Sequence, residues 1–276
     1  MKITALFLTF LLFACSPPPK TDDTSLLVEP SESTAVEEQI SSVDACSLVL
    51  GFDAWEPYQY VDVGGVITGL DIELISGVAE QIGCEVSYQQ GTWVDLLAAL
   101  QSGEVDMLLG ASKTPARQEF AYFSDSYRTE EFSLYIRKDD EVHANYASLM
   151  EFVNNGSKIG IVADYVYGEE VAQLLDDPEH SQLFVNAIMG EMNVARLLDE
   201  DVDVFLEDSF VGATMLRRKA LSEFIMEHDL KIQTGNAYVM FSKQAMTEAQ
   251  LATFNAELKR IKQSPVYTEL LSKYSY

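Results

Sequence analysis

The order of its hydrophobic segments constrains this chain more than any other feature. From Cys46 onward, short apolar runs alternate with longer stretches whose apolar residues recur every three to four positions. Ser47–Phe52 reads as a strand. Leu70 to Ile82 carries a helical stripe through Ile72, Leu74, Ile75, Val78, Ala79 and Ile82, and Gly83 ends it. Glu85–Gln89 is the next strand, Trp93–Gln101 the next helix, and Val105–Leu109 a third strand. A second set follows the strand Phe132–Arg137: strands at Lys158–Val162, Leu183–Val185 and Val202–Leu206, with helices at Glu169–Leu175 and Met192–Leu198. Thr247 to Tyr274 reads as one long amphipathic helical stripe through Leu251, Phe254, Leu258 and Ile261. Strand–helix–strand repetition of this kind predicts an α/β fold of two similar halves, each a mostly parallel sheet flanked by helices.

The N-terminus has a different character. Met1-Lys2 gives a positive start, and Ala5–Phe13 is an apolar run too short for a spanning helix, which takes roughly 20 residues. These are the marks of a secretory signal peptide over residues 1–14. The run ends Leu12-Phe13-Ala14-Cys15, which resembles the lipobox of bacterial lipoproteins and implies cleavage before Cys15 and its acylation. Ser16 after the cysteine points to the outer rather than the inner membrane. Residues 15–44 hold Pro17-Pro18-Pro19, no aromatic residue and seven acidic residues against Lys20. Too little apolar surface is available there to offset the entropy of ordering, so a disordered tether is expected. About 230 residues remain for the folded part, enough for one large or two small domains.

Eighteen Lys and Arg against 44 Asp and Glu give a formal charge of −26, which excludes nucleic acid as a partner. The acidity reads either as a solubility adaptation or as a preference for a cationic ligand. Export permits disulfides. Cys46 and Cys84 each directly precede a strand, so in parallel neighbouring strands they would share one sheet edge; a bridge and two buried thiols are both open readings. His143, His180 and His228 have no metal spacing, and neither a phosphate loop nor a catalytic triad is visible, so no metal, cofactor or enzymatic activity is expected.

Several phrases in order resemble the family-3 extracellular solute-binding proteins, the polar amino acid receptors of ABC importers. They are Gly51-Phe52-Asp53-Ala54-Trp55-Glu56-Pro57-Tyr58, Gly69-Leu70-Asp71-Ile72-Glu73-Leu74, Trp93 through Gly103, Gly110-Ala111-Ser112-Lys113-Thr114-Pro115-Ala116-Arg117 and Phe123-Ser124-Asp125-Ser126-Tyr127. The resemblance covers about residues 47–275 and is dense up to Arg137. It implies a type II periplasmic-binding-protein fold: lobe 1 over 45–136, lobe 2 over 137–236, and a return to lobe 1 over 237–276, joined by two crossing strands. A solute is trapped by closure and presented to an ABC permease in the inner membrane, with the binder a lipid-anchored periplasmic monomer.

Arg117 leads the candidate site residues. Thr114-Pro115 is a helix start, and a guanidinium beside the free N–H groups of a helix N-terminus calls for a compensating anion such as a ligand carboxylate. A surface pairing with a local acid such as Glu119 is the alternative. Gly110 and Ser112 lie on the same turn. Asp208, at the end of Val202–Leu206, is implied by the resemblance to accept a ligand ammonium, or it caps the helix beginning near Ser209; both roles can hold. Trp55 and Tyr58 would shield or stack on the ligand, or pack the lobes together.

The loop after Ile161-Val162 departs from the resemblance. Ala163-Asp164-Tyr165-Val166-Tyr167-Gly168 stands where the family has a small-residue turn. Asp164 would repel a carboxylate or cap a helix, and Tyr165 would bring bulk into the cleft. With Glu207, Asp164 points to a ligand with an extra cationic group. Two other functions stay open: a sensor or scavenger without an importer, and a cyclohexadienyl-dehydratase-like enzyme using Glu207 or Asp164.

Overall fold

The structure, a computed structural model, describes residues 46–274. The expected signal peptide (1–14), the lipidated Cys15 and the tether (15–44) lie outside the described residues.

The first half opens with β1 (Cys46–Phe52), a small hairpin β2 (Tyr60–Val61) and β3 (Ile67–Thr68), and α1 (Leu70–Gln81). It continues with β4 (Cys84–Gln90), α2 (Trp93–Ser102), β5 (Met107–Ala111), α3 (Pro115–Phe120) and β6 (Ala121–Phe123). Parallel β1 sits between β4 and β5. Alternation along the strands loads both faces: Leu48, Leu50, Met107 and Leu109 pack under α1, while Leu108 and Ala111 pack under α2 with Leu96 and Leu100. A sheet buried on both faces is what parallel strands require. Residues Thr92 and Asp95 start α2 by a side-chain cap, and Gly103 ends it in the left-handed conformation.

The second half comprises β7 (Arg128–Arg137), α4 (Leu149–Asn154), β8 (Ile159–Val162), α5 (Glu169–Asp176), β9 (Phe184–Ala187), α6 (Gly190–Leu198), β10 (Val204–Asp208) and α7 (Ser209–Arg218). Parallel β10, β8 and β9 bury Val204, Leu206, Ile159 and Ile161 against Phe152, Val171 and Leu197. One 18-residue strand, β11 (Ile225–Ser242), then joins the halves. Its first part runs antiparallel to β7 and its last part antiparallel to β5 and β6, giving the sheet path β4-β1-β5-β11-β7-β10-β8-β9. The α/β expectation is met; in the main sheet the antiparallel pairs are confined to the crossing region and the parallel pairs lie outside it, and the β2–β3 hairpin forms a separate antiparallel ribbon.

Two local readings need correction. The C-terminal stripe is two helices, α8 (Glu248–Lys262) and α9 (Pro265–Tyr274), because Pro265 cannot donate into a continuing helix. The third strand begins at Met107, not Val105. Phe132–Ile136 of β7 pair with β10, so β7 is one of the strands that run between the halves. The whole of β11 was not resolved in the sequence, for its alternating pattern is broken by register shifts at Glu227/Lys231 and Gln233/Gly235.

Cys46 and Cys84 are direct partners across the β1–β4 pair and form a disulfide, with Cα atoms 4.4 Å apart. It closes a loop with a sequence separation of 38. The double variant Cys46→Ser/Cys84→Ser is expected to lose about 2–4 kcal/mol of unfolding free energy, read by chemical denaturation under non-reducing conditions.

Candidate functional site

The candidate site lies between the lobes, at the carboxyl ends of the parallel strands, where open α/β sheets place ligands. Four strand ends supply it. The loop after β1 brings Asp53, Trp55, Tyr58 and Gln59. The turn after β5 brings Gly110, Ser112 and, through α3, Arg117. The turn after β8 brings Asp164 and Tyr165, and β10 ends on Glu207 and Asp208.

α3 begins as its residues dictate: the Thr114 hydroxyl accepts the Arg117 N–H at 3.2 Å and Pro115 takes the first helical position. Arg117 is thereby buried in the cleft, and its partners are carbonyls from both lobes. Nη1 donates to Ser112 O at 2.9 Å and Nη2 to Asp164 O at 2.7 Å, with the Trp93 ring 5.3 Å from the guanidinium. Burial lowers its pKa below the usual guanidinium value, against the pull of Asp164. Trp93 Nε1 also donates to Asp164 O, at 3.2 Å. Asp164 presents that carbonyl from a left-handed backbone, φ 61°.

Behind the cleft, Arg128 opens β7. Its Nε meets both oxygens of fully buried Asp71 at 3.2 Å, and its guanidinium lies 3.9 Å from the Tyr58 ring centre. Glu130 Oε1 is 3.7 Å from Nη1, while neither terminal nitrogen makes a hydrogen bond among the described residues. Tyr127 donates its hydroxyl proton to Asp71 at 2.6 Å and accepts from the Gly110 N–H at 2.7 Å. Gly110 has φ 67°, and a Cβ there would stand 3.0 Å from Arg128 Nη2 and 3.1 Å from the Trp55 ring, so only glycine fits.

The Trp55 indole crosses to the second lobe and donates to Glu207 Oε1 at 3.1 Å; the same oxygen accepts the Asp208 N–H. Asp208 Oδ1 accepts the N–H groups of Phe210 and Val211 at 2.9 and 3.1 Å, capping α7. Glu56 and Arg218 form an exposed ion pair between the lobes. Burial raises five carboxyls: Glu207 to about 8, Glu130 to about 7, Asp53 and Asp208 to about 6, and Asp71 above its ordinary value, with Arg128 opposing the rise at Glu130, Asp208 and Asp71.

Two chambers result. The first, a small cavity of about 30 Å³, is lined by Trp93, Gly110, Ser112, Arg117, Gln59 and Glu130 among others. The second, about 230 Å³, is lined by Glu56, Glu191, Glu207, Thr214, Met215 and Arg218 among others. Asp53, Trp55 and Tyr165 line both. Of the residues singled out in the sequence, Trp55, Gly110, Ser112, Arg117 and Tyr165 line a chamber. Asp164 faces Arg117 through its carbonyl, and Tyr58 and Asp208 line neither chamber. Trp93, Gln59, Arg128 and Glu130 went unnoticed. Trp93 read as a helix start, and only the strand crossing brings Arg128 and Glu130 behind the β1 loop.

Residues 48–276 match the model of the bacterial extracellular solute-binding proteins, family 3. The chain belongs to that family. The arginine-binding extracellular protein of Bacillus subtilis (strain 168) is 25% identical over 230 residues, covering 82% of this chain and 85% of its own. A probable histidine-binding protein of Neisseria gonorrhoeae is 22% identical over 230 residues, covering 79% and 78%. Among solved structures, an ancestral arginine-binding protein bound to arginine superposes with a TM-score of 0.72 at 19% identity, over 83% of this chain and 98% of that one. Among the described residues no helix is long and apolar enough to cross a membrane, and no cluster of potential metal ligands occurs.

The raised carboxyls link pH to stability in this family member. A carboxyl whose pKa is higher in the folded than in the unfolded chain holds an extra proton in the fold between the two values, so stability falls as pH rises through that window. For Glu207 the window runs from 4.5 to about 8. In solute-free buffer the melting temperature is expected to fall from about pH 5 to about pH 8, with a shallower fall above about pH 6 in Glu207→Gln, read by differential scanning calorimetry.

Proposed function

We propose that this chain captures a small amino-acid-like solute that carries a carboxylate and an additional positive charge, by closing its lobes around it. The observation that carries the reading is Arg117, a buried guanidinium in the interlobe cleft whose side-chain hydrogen bonds go only to two carbonyls. A carboxylate is a stronger, bidentate partner for that group than a carbonyl. In this reading Arg117 takes the solute carboxylate beside Ser112 and Gly110. Trp55 and Trp93 flank the solute's body, with Tyr58 holding Trp55 from behind.

The positive end goes to the carboxylates. Asp53 lines both chambers, and Glu207 and Glu191 line the second. Asp53 and Glu207 are buried with no basic side chain in ion-pair contact among the described residues, so a solute cation would supply the counter-charge their burial withholds. Asp208 adds its field from the α7 cap. The names of the arginine- and histidine-binding relatives agree with such a solute.

Closure is favoured only by contacts that the open state lacks. Here the Trp55–Glu207 bond is such a contact. Delivery to an ABC permease, from a periplasmic monomer held by lipid at Cys15, completes the proposal.

A thermal-shift screen of the purified protein against amino acids, polyamines and small dicarboxylates tests it, because a bound solute raises stability by mass action. L-Arginine, L-lysine and L-histidine are expected to give the largest shifts. Arg117→Ala is expected to raise the Kd of the best of them by at least about 30-fold, the lower end of the cost of removing one partner of a buried charge pair. An unchanged Kd in that variant would sink the assignment. Asp53→Asn should weaken the cationic solutes while leaving L-glutamine nearly unaffected, as measured by isothermal titration calorimetry.

A further inference from the structure

Resting on the solute reading above, we infer that Asp164–Tyr165 is an internal occupant of the solute site, and that the Tyr165 ring sets the size of solute accepted. Four contacts place it there. The Asp164 carbonyl takes Arg117 Nη2 at 2.7 Å and Trp93 Nε1 at 3.2 Å, two first-lobe donors satisfied by one second-lobe oxygen. The Tyr165 ring stands edge-on to both indoles, with centres 6.1 Å from Trp55 and 5.9 Å from Trp93. It lines both chambers and is therefore part of the partition between them.

The backbone beneath supports this placement. Asp164 is one of three non-glycine residues with positive φ among the described residues, a conformation that disfavours L side chains and persists where surrounding contacts hold it. Three residues on, Tyr167 is buried, and its hydroxyl accepts the Val162 N–H at 2.7 Å. That bond and the Phe132 ring, 4.7 Å away, anchor the turn to the second lobe while Tyr165 reaches across to the first. The lobes can therefore close with Arg117 and both indoles already satisfied. An arriving solute competes with this segment for Arg117, and its apparent affinity is reduced by the fraction of molecules that are self-occupied.

The chain's only two tryptophans are Trp55 and Trp93, so fluorescence excited selectively at tryptophan reports on this slot. Without solute, the full protein is expected to be poorly quenched by acrylamide, and Tyr165→Gly to raise the Stern–Volmer constant at least about twofold by emptying the slot. Tyr165→Ala serves if the glycine variant melts early, with far-UV circular dichroism confirming the fold. The Kd of L-arginine should fall about threefold or more in the variant, since the ring that packs the Asp164 segment against both indoles is gone and self-occupation is weakened. The dipeptide L-arginyl-L-arginine, which needs both chambers joined to seat its two side chains, should bind the variant and not the parent. Unchanged quenching would overturn the inference, as would a weaker L-arginine Kd without any gain for the dipeptide. If L-arginine and the dipeptide bind neither protein, the solute reading fails, and the solute-free quenching comparison still decides the role of Tyr165.

Discussion

The buried pair Arg128–Asp71 holds the site's geometry. Asp71 lies in the first turn of α1, fully buried, where the helix dipole and the Tyr127 hydroxyl favour its charge. Arg128 begins the strand that leaves the first lobe. A charge pair in this position gains little net stability, because desolvation offsets attraction, but removing either partner would strand the other. Its effect is positional. One cluster ties the end of β5 through Gly110, the start of α1, the start of β7 and the β1 loop through Tyr58. Gly69 belongs to the same arrangement: a Cβ there would fall 2.2 Å from Tyr58 O, so the chain can turn into α1 against the β1 loop only without a side chain.

Around this pair the cleft collects carboxylates and a few cations in a low-dielectric space. Glu130 and Asp208 are raised less than they would be because Arg128 stands near them, whereas Glu207 has only an indole and a backbone N–H to favour its charge. The second lobe thus meets the first with an acid inclined to stay protonated, and the Trp55–Glu207 bond joins the lobes without an ion pair. Desolvation on closing penalises the charged carboxyls, which makes the site sensitive to protonation and to cationic solutes.

Much of this was legible in the residues. The glycine, aspartate and arginine of the quoted phrases carry backbone requirements that a sequence displays directly. Gly69 and Gly110 permit conformations closed to other residues, Thr114-Pro115 starts a helix, and Asp208 can cap one. The cysteines were legible as a possible pair because each precedes a strand. Arg128, Glu130 and Gln59 were not, since nothing local distinguishes a buried arginine at a strand start from an exposed one. β11 escaped because its register shifts break the alternation from which strands are read. The cleft role of Tyr165 was anticipated only as bulk, and that of the Asp164 carbonyl not at all, because a carbonyl has no sequence signature.

Local propensity and periodicity act over a few residues, so the sequence by itself determined the α/β alternation, the helix starts and stops, the family membership visible in its ordered phrases and the residues able to meet a carboxylate. Tertiary structure alone decided which of them meet. The crossing of β7 and β11 carries Arg128 beneath the β1 loop, brings Glu207 to Trp55, and turns the Asp164 carbonyl toward Arg117. Those contacts join residues from about 50 to 150 positions apart. Burial then sets the charge of each carboxyl, because desolvation depends on what the other lobe covers and not on the neighbours in the chain.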